Sequence, residues 1–289
     1  MTGIEQKTGA DQVPKLVKWL RAAERSSATP GFVVRFINWV RLSGDFERRF
    51  VRDPLHSVPE FARRITRRDR MRYGNEVRTN QAIADALLFG IEYIAGAAVE
   101  GDVAEFGTMT GRTATVLSAA MASFRRGGNL HLFDGFQGLP ESSSEVDRKS
   151  WHVRGGVWAE GTCQGVGPEA LRAKCARFLA NERIVIHAGW YSDTVKKLPD
   201  GVKFALIHVD CDLYQSTMDA LEPLFARGMV SEGAVLFFDD WNCNRSSQQM
   251  GERRAWRELC EKYRIDFHDG GDYSWGGHKL IVHEYQAAA

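Results

Sequence analysis

Two short runs each close an apolar stretch with a pair of carboxylates: Ile207-His208-Val209-Asp210-Cys211-Asp212-Leu213-Tyr214 and Phe237-Phe238-Asp239-Asp240-Trp241-Asn242. The apolar stretches have the composition of buried strands, so the four acids stand at two strand tips. Like charges so placed repel one another and lose solvent, which raises their pKa values unless a counter-charge joins them. A hard divalent cation on oxygen ligands meets that need. Three carboxylates with the remaining positions left to water or substrate suit Mg²⁺, whereas zinc would bring thiolates or imidazoles. The competing reading is of solvated strand ends paired with nearby basic residues. Alternation along an extended backbone sends Cys211 to the face opposite the two Asp residues, into the core. His208 shares the Asp face one pair deeper and reads as a hydrogen-bonded core histidine.

A second constellation lies upstream. Glu105-Phe106-Gly107-Thr108-Met109-Thr110-Gly111-Arg112-Thr113 ends a short apolar run in a glycine-flanked turn that opens onto a helix, where a ligand can approach backbone N–H groups. The spacing is not G-x-G-x-x-G and no Walker lysine follows. Asp134 closes the next apolar run, 134 − 105 = 29 residues after Glu105. An acid there can accept both hydroxyls of a ribose, so turn and acid together point to an adenosine-type cofactor. An incidental Asp-Gly bend is the alternative.

These tips need a sheet behind them. β-rich runs are expected at 102–106, 129–134, 183–187, 204–210, 234–239, 265–268 and 279–283, separated after the first by helix-length segments, which is the α/β pattern with about seven strands. Leu117, Ala120, Met121 and Phe124 recur at helical spacing and predict a crossover helix with one buried face. Ser216-Thr217-Met218-Asp219 matches a capping pattern for a second crossover helix, with Gly228 as its stop. Residues 137–167 read as one long irregular loop containing Gly138, Gly155, Gly156, Gly161, Gly165 and Gly167 with Trp151 and Trp158, a candidate lid. Trp151, Trp158 and Trp275 are candidate pocket walls.

The chain has 289 residues, 44% hydrophobic and 26% charged, which fits two domains or one large α/β domain with an extension and excludes collagen-like, disulfide-scaffold and disordered classes. The formal net charge of +1 is too small to imply a polyanionic partner by itself. The charge is uneven, however: residues 35–78 hold twelve Arg against six acids. Phe32, Val33, Phe36, Ile37, Val40 and then Ile83, Leu87, Ile91, Ile94 recur at helical spacing, predicting an arginine-rich helical front end leading into a core helix. Arg63, Arg64, Arg67 and Arg68 form either an anion-binding ridge or a solvated face matched by Asp53, Glu60, Asp69 and Glu76. Five cysteines without a C-x-x-C pair, no secretory leader and no apolar run long enough to span a membrane lead us to expect a cytoplasmic protein with no membrane or nucleic-acid partner.

Taken together, these motifs resemble the class I S-adenosylmethionine-dependent O-methyltransferases of the macrocin (TylF/MycF-like) type, which methylate sugar hydroxyls of natural products. Asp102-Val103-Ala104-Glu105-Phe106-Gly107 is similar to the family's first-strand motif. Phe133-Asp134-Gly135-Phe136-Gln137-Gly138-Leu139-Pro140 resembles its F-D-S-F-E-G-L-P signature, departing at Gly135 and Gln137. Gly189-Trp190-Tyr191-Ser192-Asp193-Thr194 resembles its third-strand turn near the adenine, and His208 to Thr217 its H-V-D-x-D-L-Y-x-S-T run. Asp239-Asp240 resembles its D-D-Y, with Trp241 in place of the tyrosine. The matches fall in order within residues 101–242.

The resemblance implies a Rossmann-like sheet of about seven strands, mostly parallel with an antiparallel last strand. It makes residues 79–289 the methyltransferase domain and 1–78 a helical extension or lid. It implies S-adenosylmethionine and Mg²⁺ as cofactors, with Asp210, Asp239 and Asp240 on the metal and Asp212 as general base. Glu105, Gly107, Thr108 and Gly111 would line the methionine part, Asp134 would hold the ribose, and Gly135, Phe136 and Trp190 would complete the cofactor site. The implied acceptor is a small hydroxylated molecule, a glycosylated natural product of antibiotic type, and the front end would pair subunits into a homodimer. A catechol-type Mg²⁺-dependent methyltransferase is the nearest rival. A polyanion-binding module built on the arginine segment is the rival from another class.

Overall fold

The computed structural model describes residues 67–288, with side chains from residue 79 onward. The chain divides into two units, Met1–Gln81 and Ala82–Ala289. Most of the arginine-rich front end, including Arg63, Arg64 and the Phe32 to Val40 pattern, lies outside the described residues, and so do the lid and pairing roles expected of it. Arg67 and Arg68 open helix α1 (Arg67–Gly96). Within the second unit, Ile83, Leu87, Ile91 and Ile94 form the buried stripe expected of α1.

All seven expected strands form, in one sheet. They are β1 (Asp102–Phe106), β2 (Leu130–Asp134), β3 (Ile184–Ala188), β4 (Phe204–Val209), β5 (Val230–Phe238), β6 (Asp266–Asp272) and β7 (His278–Glu284). Their order is β3-β2-β1-β4-β5-β7-β6. The β1 to β5 pairs are parallel, while β7 runs antiparallel to both β5 and β6. The chain order therefore reverses direction across the sheet between β1 and β4, the position at which open α/β sheets bind ligands.

Strand alternation builds two apolar layers. Ala104, Phe106, Ile207, Val209, Leu236 and Phe238 face one, against α7 (Tyr214–Ala226) and α8 (Gly251–Tyr263). Val103, Leu206, Val235 and Phe237 face the other, with α1 and α2 (Arg112–Ser123). Phe237 and Phe238 are each fully buried, on opposite faces, which stabilises the strand behind Asp239 and Asp240 by about 1.5–3 kcal/mol per ring.

Two expectations about crossover helices need correction. Leu117, Ala120 and Met121 are buried on α2, but Phe124 falls at its C-cap and is 36% exposed, because the helix ends before the fourth position of the stripe. The helix after β4 does not start at Ser216. It starts at Tyr214, its N-cap residue Leu213 provides no side-chain bond, and Ser216 is buried inside the first turn. Gly228 does follow the end of α7, at φ +63°.

Candidate active site

Parallel pairing of β4 with β5, Val209 opposite Phe238, sets the two acidic tips side by side. Asp210, Asp212 and Asp240 each offer an oxygen such that all three lie within 4.8 Å of one another. Asp239 is not in that group. It stands close by, since its charge leads those acting on Asp210 and Asp240, and its Oδ1 accepts a hydrogen bond from the Tyr273 hydroxyl at 3.2 Å. Asp212 has φ +59°, a left-handed conformation that costs a non-glycine residue about 1–3 kcal/mol. The return is geometric: the turn places its carboxylate with the other two.

The charges acting on these acids are themselves negative. Burial, then Asp239, Asp240, Asp212 and Glu252, hold the Asp210 carboxyl well above its usual range. Burial and then Asp240 and Asp239 do the same to Asp212. Asp240 is pushed up to about 7, by burial first and then by Asp239. Cys243 donates to Asp240 Oδ1 at 3.3 Å, and the buried Oδ2 has no hydrogen-bond partner. An unpartnered buried oxygen among crowded carboxylates fits a divalent cation, and the all-oxygen donor set suits Mg²⁺. Glu252, in the first turn of α8 and 1% exposed, accepts from the Asp240 N–H at 3.0 Å. Burial and the charges of Asp240 and Asp239 raise its own carboxyl, while the N–H groups of Asp240 and Cys211 oppose the rise. It ties the turn after β4 to the turn after β5.

The expected cofactor residues meet at the tips of β1, β2 and β3. Gly107 has φ +86°, and a Cβ there would fall 1.9 Å from the Asp210 carbonyl oxygen, so only glycine lets the β1 turn pack on the β4 tip. Thr108 donates to Asp134 Oδ2 through both N–H and Oγ1, each at 2.8 Å, and Met109 N–H adds a third bond at 3.1 Å. Asp134 Oδ1 accepts from Phe136 N–H at 2.6 Å. Asp134 thus brackets the glycine turn. The Trp190 ring lies against Gly135, where a Cβ would come within 2.9 Å of it, so the serine-to-glycine departure at 135 makes room for the indole. Gly111 is the left-handed N-cap of α2. Glu105 is fully buried, and its Oε1 pairs with His208 Nδ1 at 3.0 Å, so His208 is the hydrogen-bonded core residue expected. Cys211 is core as well, 2% exposed.

Residues 137–167 are not irregular throughout. They carry α3 (Glu145–Lys149) and α4 (Trp151–Arg154) and are followed by α5 (Pro168–Cys175). Backbone bonds join Leu139 to Thr162 and Gly161, and Val166 N–H to the Met109 carbonyl. Trp158 is buried against Leu213 and Cys243, so it packs beneath the site instead of lining a pocket. Trp151 and Trp275 are exposed.

The family model described as "Macrocin-O-methyltransferase (TylF)" matches residues 52–267. The chain belongs to the macrocin O-methyltransferase family. One curated relative, the 8-demethyl-8-(2,3-dimethoxy-alpha-L-rhamnosyl)-tetracenomycin-C 4'-O-methyltransferase of Streptomyces olivaceus, is 33% identical over 54% of this chain and 59% of its own length. Another, the demethyldecarbamoylnovobiocin O-methyltransferase of Streptomyces niveus, is 28% identical over 62% of this chain and 68% of its own. The match thus spans between about three fifths and two thirds of these relatives. Among solved structures, the O-methyltransferase NovP superposes with a TM-score of 0.58 at 23% identity, covering 72% of this chain and 80% of NovP. CalS11, a calicheamicin methyltransferase, has a TM-score of 0.53 at 20% identity, covering 96% of this chain and 94% of its own. Both share the class I methyltransferase fold seen here. Among the described residues no helix is long and apolar enough to cross a membrane.

The family motifs cover the acids and the glycine turn but not their supports. Glu252, Tyr273, Asp147 and Asn244 come from outside the motifs. Only the apolar stripe of α8 hinted that Glu252 would be turned inward.

Proposed function

We propose that this chain transfers a methyl group from S-adenosylmethionine to a hydroxyl of a small natural product, on a sugar moiety, with Mg²⁺ bound at the acidic tips. The observation that carries the reading is the convergence of Asp210, Asp212 and Asp240 within 4.8 Å at the tips of β4 and β5, next to the sheet's switch point, with a buried unpartnered oxygen on Asp240. Membership of the macrocin family and the named activities of the two Streptomyces relatives support it. Residues 79–289 form the transfer domain in this reading, and 1–78 an extension.

When bound, the sulfonium cofactor supplies an electrophilic methyl group and Mg²⁺ a Lewis acid that lowers the pKa of a hydroxyl. Asp210, Asp239 and Asp240 would hold the cation. Asp212, within reach of the same point, would take the proton of the acceptor hydroxyl. The β1 turn from Gly107 to Gly111, with Thr108 and the buried Glu105 beneath it, lies along the methionine part. Asp134 keeps a free lone pair on Oδ1 for the ribose, and Gly135, Phe136 and Trp190 form the adjoining wall. Holding nucleophile and methyl in line can supply about 7–11 kcal/mol of the barrier.

The test is mass spectrometry of glycosylated small molecules incubated with protein, S-adenosylmethionine and Mg²⁺. The expected result is a product one methylene heavier that disappears in EDTA and returns with Mg²⁺. Full turnover in chelator would remove the metal. Methylation of catechols but of no sugar would replace the acceptor class.

A further inference from the structure

The segment carrying α3 and α4 is fastened to the turns after β4 and β5, and one fastening acts on Asp212. Asp147, on α3, is 2% exposed. Its Oδ1 accepts from the Tyr214 N–H at 2.8 Å and its Oδ2 from the Gln215 N–H at 3.1 Å. The first N–H groups of a helix lack intrahelical partners and are normally capped by the residue just before them. At α7 that residue is Leu213, which has no side-chain acceptor. A carboxylate 67 residues upstream does the capping instead.

The capped N–H groups begin two residues after Asp212. Its left-handed backbone persists only where the surroundings over-determine it. On one side Thr217 donates to the Leu213 carbonyl, through N–H at 3.0 Å and Oγ1 at 2.8 Å. On the other stands Asp147. Three residues further along the same segment, Ser150 Oγ and Trp151 N–H donate to Asn244 Oδ1 at 2.7 and 3.2 Å. Asn244 is buried, lies four residues after Asp240, and begins three consecutive residues of positive φ, Asn244, Arg245 and Ser246. One short segment therefore grips both acid-bearing turns.

We propose that Asp147 is a positioning residue: by capping α7 from the α3 segment it holds the left-handed turn at Asp212 and so sets that carboxylate against Asp210 and Asp240. The inference rests on Asp212 being the proton acceptor of the proposed reaction, but the geometry it predicts can be measured without turnover. The full chain is used throughout. Asp147→Ala lowers kcat about 10–100-fold, the range seen when a support of a metal ligand set is removed. The KM for S-adenosylmethionine stays unchanged, because the β1 and β2 turns are untouched. Mn²⁺ affinity, read by electron paramagnetic resonance without cofactor or acceptor, weakens, because the Asp212 carboxylate leaves the group of three whose negative charge draws the cation. Asp147→Asn keeps one capping oxygen but turns an NH2 donor toward the other N–H, and restores part of both.

Should Asp147→Ala fail to fold, the donor side decides. Proline is tolerated at the first helical position, and Leu213 already has the extended backbone that must precede it. Tyr214→Pro removes the capped N–H, Tyr214→Ala keeps it, and only the proline variant is expected to lose Mn²⁺ affinity beyond the shared loss of the phenol. Wild-type kcat and Mn²⁺ affinity in Asp147→Ala, or equal losses in the Ala and Asn variants, would overturn the inference. A wild-type protein that methylates nothing, yet binds Mn²⁺ more tightly than Asp147→Ala, would sink the proposed reaction and leave the positioning role standing. Absence of Mn²⁺ binding in the wild type would remove both.

Discussion

Asp134 and Asp240 both close a parallel strand of the same sheet, and they are satisfied in opposite ways. Asp134 receives four hydrogen bonds from Thr108, Met109 and Phe136. Asp240 has an unpartnered Oδ2, and burial and the charge of Asp239 outweigh the steadying bonds from Cys243 and Asp212. A carboxylate that gathers N–H and O–H donors is fixed in place and can act as a rigid bracket with one lone pair left over. One whose neighbours are other carboxylates is complete only with a cation. The first half of the site is built to hold a shape, the second to hold a charge.

The largest expected effect lies in the charged half. Asp212→Asn should lower kcat on a sugar acceptor by about 10²–10⁴-fold, the usual worth of a general base. S-adenosylmethionine affinity, measured by calorimetry, should stay as it is. Near-full activity on catechols in the same variant would mean that phenols ionise without help and would blur the contrast between the halves.

The next prediction concerns pH in metal-free protein. The Asp240 carboxyl is held at about 7 in the folded chain, above the unfolded value of about 3.9. The folded state therefore binds more protons between these values, so stability falls as pH rises from about 4 to 7 and stays low above that. Thermal melts in EDTA should show this fall, Mg²⁺ should reverse it, and Asp240→Asn should lessen it while weakening Mg²⁺ stabilisation. A melting profile in EDTA that rises over this range would contradict the uncompensated cluster.

Asp134→Ala tests the satisfied half. Losing charge-assisted bonds worth about 1.5–3 kcal/mol should weaken S-adenosylmethionine binding roughly 10–100-fold and lower the melting temperature, independently of Mg²⁺. Unchanged affinity would remove Asp134 from the ribose. The smallest effect is expected of Gly135→Ala. The new methyl must push the Trp190 ring aside, at an overpacking cost of about 1 kcal/mol that chemical denaturation can read.

Much of this was legible because it is local. The seven strands follow from short β-rich runs bounded by turn residues, and the buried stripe of α1 from the spacing of Ile83, Leu87, Ile91 and Ile94. The acids at 210, 212, 239 and 240 are visible because they interrupt apolar runs. How closely they converge was not: the turn at Asp212 puts it within reach of Asp210 and Asp240, while Asp239 stands beside them and also accepts from Tyr273. The start of α7 is not legible, because Ser216 offers a local cap while a distant carboxylate on α3 caps the helix two residues earlier.

By itself the sequence determined the α/β sheet, the glycine turn at Gly107 and the acids at the tips of β4 and β5, since strand periodicity, positive φ and charge are properties of neighbouring residues. Only the tertiary structure decided which carboxylates share one point and what holds them there. Those supports join residues far apart in the chain, Asp147 to Tyr214, Ser150 to Asn244 and Glu252 to Asp240. A buried N–H takes whichever acceptor folding brings within about 3 Å, and no local pattern records that choice.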